Sequence, residues 1–130
     1  MTDIAELSRR IEAIEAGYEF MLAYAAQGRR DDSGSDVRKA LTDMHAALDG
    51  LGPIIRTATS AAPPVPGFDA GVFISAAGED ALKAGGAIAL VLQRNPISSM
   101  LVDNLNASIH LRALLTDLFL IEQALKSSSG

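Results

Sequence analysis

A chain of 130 residues, 48% apolar and 21% charged, is long enough for one domain with a real core and too apolar to be disordered. It has no cysteine, which excludes disulfides, thiolate metal sites and cysteine nucleophiles together. The formal charge is −5, from 11 basic and 16 acidic residues. Lys and Arg are scattered, and the pair Arg29–Arg30 runs straight into Asp31–Asp32, so neither nucleic acid nor an anionic membrane is an expected partner.

The opening "MTDIAELSRR" has charges where a signal peptide needs an apolar run, and the longest greasy stretch, "GGAIALVL", is far too short to cross a bilayer. The cytoplasm is the expected location. The first periodic segment carries Ile4, Leu7, Ile11, Ile14, Tyr18, Met21 and Ala25 at alternating spacings of three and four, a buried stripe on a helix over about 3–28. "GRRDDSGSD" then breaks the pattern with loop residues, and Ser35 or Asp36 caps the next helix.

A second helix, about 36–60, places Val37, Leu41, Met44, Leu48, Leu51 and Ile55 on one side. "DGLGP" predicts a kink or break near Gly50 to Pro53, because proline lacks an amide hydrogen and clashes with the preceding turn. The proline-rich segment 61–68 reads as the linker.

The third helix, about 69–94, puts Phe73, Ala77, Ala81, Ala84, Ile88 and Val91 or Leu92 on one face. Gly78, Gly85 and Gly86 each cost a helix about 1 kcal/mol relative to alanine, so close approach of a neighbouring helix is expected to compensate, with a break at Gly85–Gly86 as the rival. Asn95 as a cap and Pro96 at the first helical position predict a fourth helix over about 96–126, with "SSSG" as a frayed tail. The whole reads as an all-α chain, an up-and-down antiparallel four-helix bundle in a single domain.

The fourth segment contains "NLNASIHLRALL". On a continuous helix turning about 100° per residue, Met100, Ala107, Leu111, Leu114, Leu118, Ile121 and Leu125 form the core face. Val102, Leu105, Ile109 and Leu120 collect opposite, with polar strips between that carry Asn106, His110 and Arg112. Phe20 and Tyr24 lie opposite the seam of the first helix. The expectation is a non-enzymatic interaction module, an adaptor, assembly factor or small subunit, that forms a homodimer through the outer faces of the first and fourth helices. Phe20, Tyr24, Val102, Leu105, Ile109 and Leu120 would anchor it, with Asn106, His110 and Arg112 as a polar rim. The rival account is that the linker folds over this surface with Val65 and Phe68.

Chemistry has little foothold. A ferritin-like di-iron bundle needs Glu-x-x-His pairs, but Thr42 and Ala107 stand three residues before His45 and His110. Histidine phosphotransfer domains are helical bundles of this size whose pattern resembles His-x-Leu-Lys-Gly. Here "HAALDGL" places Asp49, and "HLRALL" places Leu114, where the small residue belongs. The departures fall on the positions that matter, so no family is assigned. No catalytic residue, metal site or cofactor is expected. A histidine-based signalling bundle, or one holding a small molecule in space left by Gly85, Gly86 and Ala89, is the alternative class.

Overall fold

The computed structural model describes residues 2–61 and 63–129, with side chains over 3–61 and 63–127. Ala62 of the expected linker, Met1 and Gly130 lie outside it. Six helices occur in order: α1 (Thr2–Ala26), α2 (Val37–Leu48), α3 (Leu51–Ser60), α4 (Gly71–Leu92), α5 (Ser99–Ile109) and α6 (Leu111–Ser129). Among the described residues the only β pairing is an isolated bridge between Val65 and Phe68. The described residues are all-α, with six helices among them where the periodicity gave four.

Helix α1 buries Leu7, Ile11, Ile14, Met21 and Tyr24, and packs on α2, α3, α5 and α6. Helices α2 and α3 bury Val37, Leu41, Met44, Leu48, Leu51 and Ile55, the expected stripe. Each such side chain contributes about 1.5–3 kcal/mol by leaving water. The break between the two helices is at Asp49–Gly50, where Asp49 is extended and Gly50 has φ 71°. Pro53 falls in the first turn of α3, where a missing amide hydrogen leaves no intrahelical bond unmade.

Helix α4 runs unbroken through Gly85–Gly86 and buries Ala77, Gly78, Ala81, Ala84, Ile88 and Val91. Close approach occurs at Gly78: a Cβ there would sit 3.3 Å from the Gly52 Cα of α3. At Gly85 a Cβ would meet only Leu48, at 4.0 Å, and Gly86 is exposed, so close helix approach explains neither glycine.

The fourth predicted helix is two helices. The cap is Ser98, whose Oγ accepts the Leu101 N–H at 3.1 Å, and Asn95–Pro96, expected to start the helix, lie in the preceding turn. His110 has φ 46° and ψ 48°, the left-handed conformation that ends α5. Its carbonyl accepts from Ala113 and Leu114 and so starts α6. On a continuous helix Ile109 and Leu111 would point roughly 200° apart; the reversal at His110 turns both inward. The two apolar faces read from the sequence are therefore one core face with a phase jump. Val102, Leu105 and Ile109 are buried with Leu111, Leu114, Leu118, Ile121 and Leu125, whereas Met100 and Ala107, assigned to the core, are exposed. Helix α6 continues through Ser129, into the "SSSG" tail, of which Gly130 lies outside the described residues.

A polar junction locks one end of the molecule. The buried Tyr24 hydroxyl lies 2.5 Å from the Ile97 carbonyl and 3.1 Å from that of Asp31, and burial pushes its pKa up. Ser99 Oγ donates to the Tyr24 carbonyl at 2.6 Å and accepts the Arg29 N–H at 2.8 Å. Arg38 donates to the carbonyls of Leu92 and Arg94, both at 3.0 Å, which places a cation at the negative end of the α4 dipole.

Candidate interaction surface

Helix α4, "GVFISAAGEDALKAGGAIALVL", carries only Glu79, Asp80 and Lys83 as charges. A helix that is apolar nearly all round is ordinarily covered nearly all round. Here one side packs on α2, α3, α5 and α6, and the other faces solvent. Val72 is 84% exposed, Leu82 74% and Leu90 61%. At about 100° per residue these three fall within roughly 80° of arc along roughly 27 Å of helix. Ser75, Ala76, Glu79, Asp80, Lys83 and Gly86 are the other exposed residues from Val72 to Leu90.

The chain entering α4 extends this surface. Residues Val65 to Phe68 form a tight turn closed by the Phe68 N–H to Val65 carbonyl bond at 3.2 Å. Pro66 and Gly67 occupy its centre, and Gly67 has φ 89°, which glycine alone adopts without cost. Asp69 Oδ1 then accepts the Gly71 N–H at 2.8 Å and fixes the entry to the helix. The turn holds Val65 outward and Phe68 83% exposed, so this segment covers no apolar face of its own chain. Five of the nine large apolar residues found exposed among the described residues belong to this turn or to α4. Concentration of that kind marks a docking surface, whereas scattered single residues do not.

The residues expected to anchor a partner are placed differently. Tyr24, Val102, Leu105 and Ile109 are buried in the core, and Phe20 is half-buried against it, so these residues do not form an outer face. The reason is the phase jump at His110, together with the use of the Tyr24 hydroxyl by two backbone carbonyls. Leu120 is exposed, as expected, beside an exposed Phe119. Asn106 is half-buried, while His110 and Arg112 are exposed and line a shallow depression with Ala113, Thr116 and Asp117.

No protein-family model, curated protein or solved structure matches this chain.

Chemically the apolar surface is suited to burial rather than reaction. Glu79 and Lys83, its central charges, make no ion pair among the described residues. No group of three or more His, Asp or Glu among those residues is placed to hold a metal ion. No described helix is long and apolar enough to cross a membrane. His45 is half-buried on α2, and His110 is exposed at the α5–α6 junction.

Periodicity places one side of α4 correctly in the core and misses the other. The signal is in the sequence: Val72, Leu82 and Leu90 share a face opposite Ala77, Ala81 and Ala84. The small residues between them mask it, because they read as packing.

Proposed function

We propose that this chain is a non-enzymatic protein-interaction module, of the adaptor, assembly-factor or small-subunit kind, that docks through the outer face of α4 and the Val65–Phe68 turn. In this reading the fold is an up-and-down four-helix bundle whose second arm is α2–α3 and whose fourth arm is α5–α6. The observation that carries the reading is a helix apolar on both sides and covered on one. Exposing Val72, Leu82 and Leu90 to water forgoes burial worth about 1.5–3 kcal/mol per side chain, which a partner would supply. The rigid turn and helix would lose little conformational freedom on docking.

The test is site-specific photo-crosslinking in the protein's own cells, with a photoreactive residue replacing Leu90 or, as control, the exposed Glu15 of α1. A covalent protein adduct at position 90 and none at 15 is expected. No adduct at 72, 82 or 90 would overturn the reading.

A second reading, histidine-based phosphotransfer, has one observation in its favour: His110 is exposed next to the depression that Arg112 also lines. Transfer of label from a phosphorylated response regulator, lost in His110→Ala, would support it. Failure of the wild type to take up label would dismiss it.

A further inference from the structure

Resting on the interaction reading above, we infer that the partner of α4 is a second copy of this chain, packed antiparallel across a two-fold axis that runs between the two α4 helices at the level of Ala81. Three pairs of exposed residues on α4 stand symmetric about that level, while Leu82 has Asp80 as its counterpart. Val72 and Leu90 stand nine residues to either side, and Glu79 and Lys83 stand two residues to either side. Under a two-fold axis perpendicular to the helix, residue i of one copy lies level with residue 162 − i of the other, and every contact between different residues occurs twice. Val72 then faces Leu90 of the second copy at both ends. Glu79 meets Lys83 of the second copy twice. Leu82, one residue from the axis, meets Leu82 of the second copy.

Glu79 and Lys83 favour one orientation, while Asp80, one residue from the axis on the flank away from Leu82, points away from the Glu79–Lys83 contacts. A parallel pair would align Glu79 with Glu79 and Lys83 with Lys83, like charges face to face, which costs free energy. The antiparallel pair turns the same residues into two opposite-charge contacts. Both side chains are available for this, since neither has an ion-pair partner among the described residues. Ala76 and Gly86, also symmetric about Ala81, are small enough to let the two helix backbones approach. A Cβ on Gly86 would meet nothing of its own chain within 4 Å.

The chain has no cysteine, so introduced thiols report the register directly. On oxidation, Leu82→Cys is expected to form a covalent dimer. Val72→Cys alone is expected not to, because its two copies would be roughly 27 Å apart. A short bismaleimide is expected to link Val72→Cys to Leu90→Cys when the two variants are mixed. Light scattering coupled to size exclusion gives the second readout. Glu79→Lys and Lys83→Glu should each weaken the dimer by about tenfold, and the double variant Glu79→Lys/Lys83→Glu should recover it. Circular dichroism on each variant separates lost association from lost folding. A wild-type dimer that survives Leu90→Glu, or crosslinks Val72→Cys to itself, overturns this inference and leaves an interaction module using another face or register. A wild-type monomer that still photo-crosslinks a different protein at position 90 also overturns it while sparing the function proposed above. A monomer with no adduct ends both.

Discussion

Asp32 Oδ1 accepts the backbone N–H of Ile97 at 2.9 Å, tying the α1–α2 loop to the α4–α5 connection across 65 positions of sequence. The same carboxylate stands 3.4 Å from Arg38, whose guanidinium holds the end of α4. The Ile97 hydrogen bond is the main reason the Asp32 carboxyl titrates below its ordinary value of 3.8, with Arg38 adding to it and partial desolvation opposing.

A carboxylate whose pKa is depressed by folding contributes stability above its unfolded value and loses it as pH falls through the folded one. Asp32→Ala is therefore expected to cost about 1–2 kcal/mol at pH 7. The difference from wild type should shrink steadily below about pH 4. Urea unfolding at pH 7, 4 and 3 measures this; a difference independent of pH would mean the carboxylate's charge contributes nothing.

Tyr24→Phe keeps the buried ring and removes the hydroxyl held between the Ile97 and Asp31 carbonyls. The expected loss is about 1–2 kcal/mol in stability, with no change in oligomeric state. Weakened association at unchanged stability would instead return Tyr24 to an interface role.

The two glycine environments of α4 should respond in opposite directions. Gly78→Val forces side-chain atoms against the Gly52 backbone, 3.3 Å from where the Cβ alone would sit, and is expected to cost at least about 2 kcal/mol. Gly85→Ala meets only Leu48, at ordinary contact distance of 4.0 Å. It should gain about 0.5–1 kcal/mol from helix propensity. Thermal melts of the two variants decide the matter, and equal losses would place the close approach at Gly85 as well.

His110 holds a left-handed conformation that glycine adopts freely and a β-branched residue resists. His110→Gly is expected to raise stability by about 0.5–1 kcal/mol and His110→Val to lower it by about 1–2 kcal/mol. The reverse order in denaturant midpoints would show that α5 and α6 run on as one helix in solution.

Local spacing made the cores of α1, α2 and α3 legible in advance. Leu7, Ile11, Ile14 and Met21, or Val37, Leu41, Met44 and Leu48, share a face on any helix, so helical geometry alone puts them together. The break at Gly50 also has a local cause, because glycine adopts the positive φ of 71° found there without cost, whereas Pro53 sits in the first turn of α3 and breaks nothing. Nothing local requires His110 to reverse, however. Its left-handed turn is held because it brings Ile109 and Leu111 inward together, and that gain exists only where the core is there to receive them. The same holds for the candidate surface. Sequence determined that α4 is apolar on two sides, and the alanines and glycines of one side let it sit close against α3. Only the tertiary structure decided that Val72, Leu82 and Leu90 are the side left to solvent, because tight packing selects the smoother face and turns the bulkier one out.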